Sequence, residues 1–169
     1  MDWEVLLMKR RFLSMVLAIL LIMATVIAPV SASAASKVKI MRVTTDGARV
    51  RKGPGNYDVV TSVKKGSKVF YLGKTKTSFV KVRTSTGTTG YMYKGFLKAY
   101  GTCYKSQVYY SKKKNLAMYK KASTRSSKRT RLSKKQHVIV YQVKGSWAYV
   151  KTLGGTGGFV KKKYLKKAF

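Results

Sequence analysis

The chain repeats itself at an interval of 68 residues: Phe79, Gly90, Tyr91 and Leu97 return as Trp147, Gly158, Phe159 and Leu165. The surrounding text agrees, with SFVKVRTSTGTTGYMYKGFLK over 78–98 against SWAYVKTLGGTGGFVKKKYLK over 146–166. Aromatic, glycine and apolar positions held in phase over one period mark two copies of one small structural unit. Such a chain presents two similar surfaces, and each copy has to complete its fold within roughly 65 residues, a size that buries only a modest core.

Residues 1–35 are of another kind. Lys9, Arg10 and Arg11 precede an apolar stretch from Phe12 to Val30, and small residues follow as Ser31-Ala32-Ser33-Ala34-Ala35. That order is a secretory signal peptide, with cleavage expected after Ala34 or Ala35 and Met8 as an alternative start. An uncleaved membrane anchor is the competing reading, since about 18–20 apolar residues also span a bilayer. Ser14, Pro29 and the Ala/Ser exit favour cleavage. The expectation is a secreted or wall-associated protein whose mature form does not span a membrane.

Beyond residue 36 the chain holds 34 Lys and Arg against only Asp46 and Asp58, a net charge of +32. The first repeat region (37–100) carries +13 and the second (101–169) carries +19 with no acid. Solubility needs a charge of only about 2–8 on a small domain. The excess attracts polyanions at long range, with a steep dependence on salt. Cys103 is the one cysteine, so no intramolecular disulfide forms and each copy rests on its apolar core. Cys103 reads as a small apolar residue between the repeats, with an intermolecular disulfide as the alternative.

Short β-type runs alternate with turn signals. Val38–Val43, Val69–Leu72, Phe79–Val82 and Tyr91–Tyr93 are strand candidates in the first copy. Asp46-Gly47, Gly53-Pro54-Gly55, Lys65-Gly66 and Thr86–Gly90 are its turns. The second copy follows with Gln107–Tyr110, the turn at Lys114-Asn115, Val138–Tyr141, Trp147–Lys151, the Gly154–Gly158 hairpin and Phe159-Val160. Strands at such spacing without helical periodicity predict small all-β barrels. Val50, Val63, Val69 and Val82, with their counterparts Met118, Leu132, Val138 and Val150, are the predicted inward positions. Gly66 and Gly90 stand where φ > 0 or close backbone approach is needed.

The run Ala48-Arg49-Val50-Arg51-Lys52-Gly53-Pro54-Gly55 resembles the opening of the bacterial SH3 family. Val59–Val63, Lys64-Lys65-Gly66, Lys68-Val69, Phe79-Val80-Lys81-Val82 and Gly90-Tyr91 follow that family's pattern in its order. The resemblance covers nearly all of 40–98 and again 108–166. In the second copy the opening becomes Leu116-Ala117-Met118-Tyr119-Lys120-Lys121-Ala122-Ser123, and Lys135 replaces Gly66. The Trp-x-x-Val mark survives as Trp147-Ala148-Tyr149-Val150, with Phe79 in place of the Trp in the first copy. The organisation expected is a signal peptide over 1–35 and two SH3-like β-barrels in tandem, over 37–100 and 107–169.

Catalytic chemistry is poorly provided for. Past residue 36 there is no Glu, two Asp and one His, which leaves no Glu-based acid/base pair and no cluster of metal ligands. A nucleophilic pair would have to be Cys103 with His137, without a catalytic signature around either. No cofactor or small-molecule substrate is expected. The family resemblance implies recognition of the bacterial cell envelope, typically peptidoglycan peptides in a groove between loops. Such domains often accompany cell-wall peptidases or amidases.

Tyr57, Tyr91 and Tyr93, with Phe79, are the candidate groove aromatics of the first copy; Tyr119, Trp147 and Phe159 are their counterparts. Rigid aromatic faces stack on peptide or sugar at low entropic cost. Lys112, Lys113, Lys114, Lys120, Lys121, Arg125, Arg129, Arg131, Lys161, Lys162 and Lys163 are the candidate contacts to anionic wall polymers, by counterion release. The expectation is a secreted, non-catalytic protein binding peptidoglycan or anionic wall polymers through two bacterial SH3 modules, with avidity from the pair. The alternative is a general binder of extracellular polyanions, DNA or glycosaminoglycan, acting through the basic surface.

Overall fold

The computed structural model describes residues 35–169. The expected signal peptide and its apolar run Phe12–Val30 fall outside the described residues, among which no helix is long and apolar enough to cross a membrane. Residues 35–169 form one compact unit of strands and short 3₁₀ turns.

The first copy supplies β1 (Lys37–Val43), β2 (Ala48–Arg51), β3 (Val59–Val63), β4 (Lys68–Lys74), β5 (Phe79–Arg83), β6 (Thr89–Tyr93) and β7 (Leu97–Tyr104). The second supplies β8 (Val108–Ser111), β9 (Leu116–Tyr119), β10 (Lys128–Leu132), β11 (His137–Lys144), β12 (Trp147–Thr152), β13 (Gly157–Lys161) and β14 (Leu165–Lys167). The sheet orders are β3-β2-β6-β5-β4-β1-β7 and β10-β9-β13-β12-β11-β8-β14, the same path drawn twice. Every pairing is antiparallel. The described residues are all-β, with two seven-stranded SH3-like domains.

Each sheet curls around its own apolar cluster. Val50, Val69, Val82 and Met92 are fully buried in the first, and Met118, Leu132, Val138 and Val150 in the second. Val63 is only half-buried and packs at the margin of the first cluster. The strands alternate as a half-buried sheet requires: β5 runs Phe79 half-buried, Val80 buried, Lys81 exposed, Val82 buried.

A third cluster joins the two copies: Val38, Ile40 and Phe70 from one, Val108, Ile139 and Leu153 from the other. It follows from strand parity. On β1 the odd residues Met41 and Val43 face their own core while Val38 and Ile40 face the seam. On β4 Val69 turns inward and Phe70 to the seam; on β11 Val138 and Val140 turn inward and Ile139 to the seam. The seam is self-similar, because Ile40 and Phe70 hold the places in the first copy that Val108 and Ile139 hold in the second. Polar contacts fasten its edges: His137 N–H donates to Ser85 O at 2.8 Å and Arg83 Nη1 to Ala168 O at 3.1 Å. The stretch 101–106 is no hinge, since Gly101–Tyr104 is paired strand and a 3₁₀ turn over Lys105–Gln107 leads straight into β8.

The two glycines singled out in sequence serve different needs. Gly66 sits at φ +82°, the left-handed turn. Gly90 is a close approach: a Cβ there would lie 2.6 Å from Arg51 O and 2.6 Å from Val50 Cγ1. Lys135 adopts φ +63° where the first copy uses Gly66, so the second copy carries a strained backbone there.

His137 is 5% exposed beside Phe70 of the first copy, ring centroids 6.0 Å apart. Burial, reinforced by the Arg83 charge and opposed by the Lys135 backbone, holds its pKa below the ordinary 6.5. An unfolded chain therefore takes up a proton at a pH where the folded one refuses it. The contribution of neutral His137 to stability is complete above about pH 6.5 and drains as pH falls toward the folded value. With two Asp and no Glu past residue 36, few other groups titrate in that window. Urea midpoints should fall between pH 7 and pH 5, and the slope should flatten in His137→Gln. An equal slope in the variant would exclude His137 as its source.

Candidate binding groove

The outer face of β2, β6 and β5 carries the first copy's candidate site. Arg49 and Arg51 point outward from β2, Tyr91 and Tyr93 from β6, and Phe79 and Lys81 from β5. Register places Phe79 opposite Tyr93 and Lys81 opposite Tyr91. At the Phe79–Tyr93 end the surface opens into a groove of about 370 Å³ between the Thr45–Gly47 turn and the 3₁₀ turn at Lys94–Phe96. Phe79, Tyr93 and Phe96 are its aromatic wall, with edge-to-face centroid distances of 6.0 Å and 5.2 Å.

Charges of both signs border these rings. Asp46, Arg49 and Arg51 line the groove. Asp46 Oδ1 accepts from Lys65 N–H at 3.3 Å, and Arg51 Nη1 donates to Tyr57 O at 2.6 Å, which leaves Arg49 the more available guanidinium. A ligand suited to this surface has an apolar or planar body with both an ammonium and a carboxylate, as peptides do.

Of the predicted rings, Phe79 and Tyr93 line the groove and Tyr91 and Tyr57 do not. Tyr91 is half-buried further along β6. Tyr57 lies over Gly53, whose added Cβ would meet its ring at 2.5 Å, and is 56% exposed. Phe96, Arg49 and Asp46 were missed. Asp46 was read only as a turn residue, and Phe96 belongs to a 3₁₀ turn without periodic signal.

In the second copy the predicted rings do come together. Tyr119 meets Trp147 at 5.7 Å, Phe159 lies opposite Tyr119 in register, and Tyr149 extends the row at 5.2 Å from Phe159. Trp147 is only 9% exposed, with the Lys161 ammonium 4.2 Å above its ring. Lys161 stands where the first copy has Tyr93, Lys114 where it has Asp46, and Tyr164 where it has Phe96. Ala117, Tyr119 and Tyr149 in turn stand where it has Arg49, Arg51 and Lys81, so the second face carries its cations at other places.

The basic residues separate into two groups. Lys112, Lys113 and Lys114 form the β8–β9 turn, and Lys162 and Lys163 open the 3₁₀ turn at Lys162–Tyr164. Lys113 and Lys163 each lie 5.1 Å from the Tyr164 ring, so this group and Lys161 converge on one end of the barrel. Lys120, Lys121 and Arg125 lie on the β9–β10 loop, with Arg129 and Arg131 on the edge strand β10. Arg129 Nη1 donates to Gly157 O at 3.2 Å. Charge along that edge guards it against pairing with another sheet. Among the described residues the one ion pair is Lys52–Asp58 at 2.9 Å, and cations lie over rings instead.

Cys103 is half-buried beside the seam, and burial pushes its thiol up, away from a reactive thiolate. No hydrogen bond joins it to His137, and no group of three or more His, Cys, Asp or Glu is placed to hold a metal, among the described residues.

Residues 46–98, most of the first copy, match the family model of the bacterial SH3 domain. Among curated proteins none matches the sequence. Solved structures that match include NlpC2 from Trichomonas vaginalis, 15% identical over 76% of this chain and 48% of that one, with a TM-score of 0.32. NlpC1 from the same organism is 17% identical over 80% of this chain and 48% of its own, TM-score 0.31. An NlpC/P60 family protein from Bacillus cereus ATCC 10987 is 13% identical over 78% and 56%, TM-score 0.33. The chain spans about half the length of the structures it matches. These matches, proteins named NlpC2, NlpC1 and an NlpC/P60 family protein, stand against the expectation of a whole protein that is a non-catalytic cell-wall binder. As an account of the whole protein that expectation is withdrawn, together with its polyanion alternative.

Proposed function

We propose that residues 35–169 are a cell-wall recognition unit, with the first barrel's groove taking a peptide segment of peptidoglycan. The observation that carries this is the groove itself, a hollow of about 370 Å³ walled by Phe79, Tyr93 and Phe96 within a bacterial SH3 domain. Bound peptide backbone would stack on the rings, an ammonium would face Asp46, and a carboxylate would face Arg49. The second barrel, with Lys114 and Lys161 in place of Asp46 and Tyr93, would add a weaker contact and hold the unit on the wall. Export by residues 1–35 belongs to the same proposal and would deliver the unit to its ligand.

The test is cosedimentation of the full chain with peptidoglycan stripped of anionic polymers, across a salt series. Retention at high salt is expected, with Tyr93→Ala weakening it about tenfold, the loss of roughly one well-placed aromatic contact. Elution by moderate salt, or unaltered binding by Tyr93→Ala, would remove the groove from the account.

A further inference from the structure

Phe79 has a second side. Across it from the groove lies a hollow of about 360 Å³ bordered by β1, β4, β5 and the start of β7. Its apolar floor is Met41, Tyr71, Val80 and Leu97, all at least half-buried. On its rim stand Lys39, Lys74 and Lys94, all exposed. None of the three forms an ion pair, since among the described residues that role falls to Lys52 alone. Neither Asp46 nor Asp58 lines the hollow. A neighbouring hollow of about 270 Å³ shares Lys39 and Tyr71 and adds Lys37 and Lys105, so the positive potential continues on that side too.

The repeat supplies an internal control. In the second barrel, β11 and β12 join through Gly145-Ser146 alone, whereas β4 and β5 join through Thr75–Ser78. Lys39 has Gln107 as its counterpart. The fold therefore closes this corner without the longer loop and without that lysine. The loop is also held in shape: Thr75 Oγ1 donates to Phe79 O at 2.6 Å, the Thr75 and Thr77 hydroxyls meet at 2.9 Å, and Lys94 N–H donates to Ser78 O at 2.9 Å. A preformed wall, an apolar floor and convergent unpaired ammoniums are the parts of a small-ligand site.

We infer that this hollow binds a small amphipathic anion, an apolar body bearing one phosphate or carboxylate. The body lies on Met41, Tyr71 and Leu97 and the anion sits among Lys39, Lys74 and Lys94. The site is separate from the groove and does not depend on the peptide reading. Charge-assisted contacts to two or three lysines supply affinity, and the apolar floor distinguishes such a ligand from a bare anion.

The probe is hexyl phosphate, titrated into the full chain and followed by backbone amide NMR, with inorganic phosphate and hexylammonium as separate arms. Hexyl phosphate should saturate and shift the amides of Met41, Tyr71, Thr75–Phe79 and Lys94. Inorganic phosphate should bind at least tenfold more weakly, and hexylammonium should not bind there. The surface variants Lys74→Glu and Lys94→Glu should each weaken hexyl phosphate at least fivefold with unchanged urea midpoints. Equal binding of inorganic phosphate, equal binding of hexylammonium, shifts spread over lysines throughout both barrels, or full affinity in both variants would each overturn the inference.

Discussion

Phe70→Ala should destabilise the protein by about 3–5 kcal/mol, the usual cost of emptying a large buried aromatic site, and should split one unfolding transition into two. Phe70 is fully buried, yet its ring does not serve the core of its own barrel. It lies in the seam with Ile139, Val108 and Leu153 of the second copy, with His137 at 6.0 Å and Phe169 at 6.5 Å. Removing it leaves both barrel cores intact and opens a cavity between them. Single domains of this size are marginal alone, so the shared seam is what makes them unfold together. Trp147 fluorescence follows the second barrel, and far-UV circular dichroism follows both. In the parent the two probes should report one urea midpoint, and in Phe70→Ala they should separate. Coincident midpoints with a loss below about 1 kcal/mol would mean that the barrels do not depend on this contact.

That seam marks the limit of what the primary structure discloses. Val69-Phe70 and Val138-Ile139-Val140 are legible as strands because consecutive β-branched and aromatic residues favour a pleated surface. Burial on both faces is also implied by such unbroken runs. Which partner covers the second face is not, since that depends on how one barrel turns against the other. The 68-residue period and the turn signals at Asp46-Gly47, Lys65-Gly66 and Gly154–Gly158 carried the fold. β10, reading Lys-Arg-Thr-Arg-Leu, did not announce itself, because a charged edge strand has almost no apolar alternation to read.

The groove was half legible for a similar reason. Tyr91 and Tyr93 share a strand face, and parity alone says nothing about which end of the strand opens into a hollow. Phe79 opposite Tyr93 decides it, and that pairing needs the register. The replacement of Tyr93 by a lysine in the second copy was present in the text as Lys161. Its consequence, an ammonium laid on Trp147, required the fold.

Gly90→Ala and Gly158→Ala should both be strongly destabilising, and unequally so. The two residues are equivalent: Gly90 lets β6 lie against β2, and Gly158 lets β13 lie against β9. At Gly90 a Cβ would fall 2.6 Å from the Arg51 carbonyl oxygen and 2.6 Å from Val50 Cγ1. At Gly158 it would fall 2.6 Å from Met118 Cγ and 2.8 Å from Tyr119 O. Backbone cannot yield cheaply in either place. Val50 is stiff about χ1, whereas Met118 bends through three torsions, so the second copy relaxes part of the clash and the first cannot. Overpacking of this kind costs about 1–3 kcal/mol, and Gly90→Ala belongs at the upper end. The clash at Gly90 also pushes β6 from β2, parting Tyr93 from Arg49 and Arg51 on the two sides of the groove. Gly90→Ala should therefore weaken peptidoglycan retention even where the protein remains folded, and Gly158→Ala should leave it nearly intact. Urea midpoints and cosedimentation on the same preparations decide this. A larger stability loss in Gly158→Ala would refute the ranking, and undiminished retention by folded Gly90→Ala would separate the groove from the β2–β6 junction.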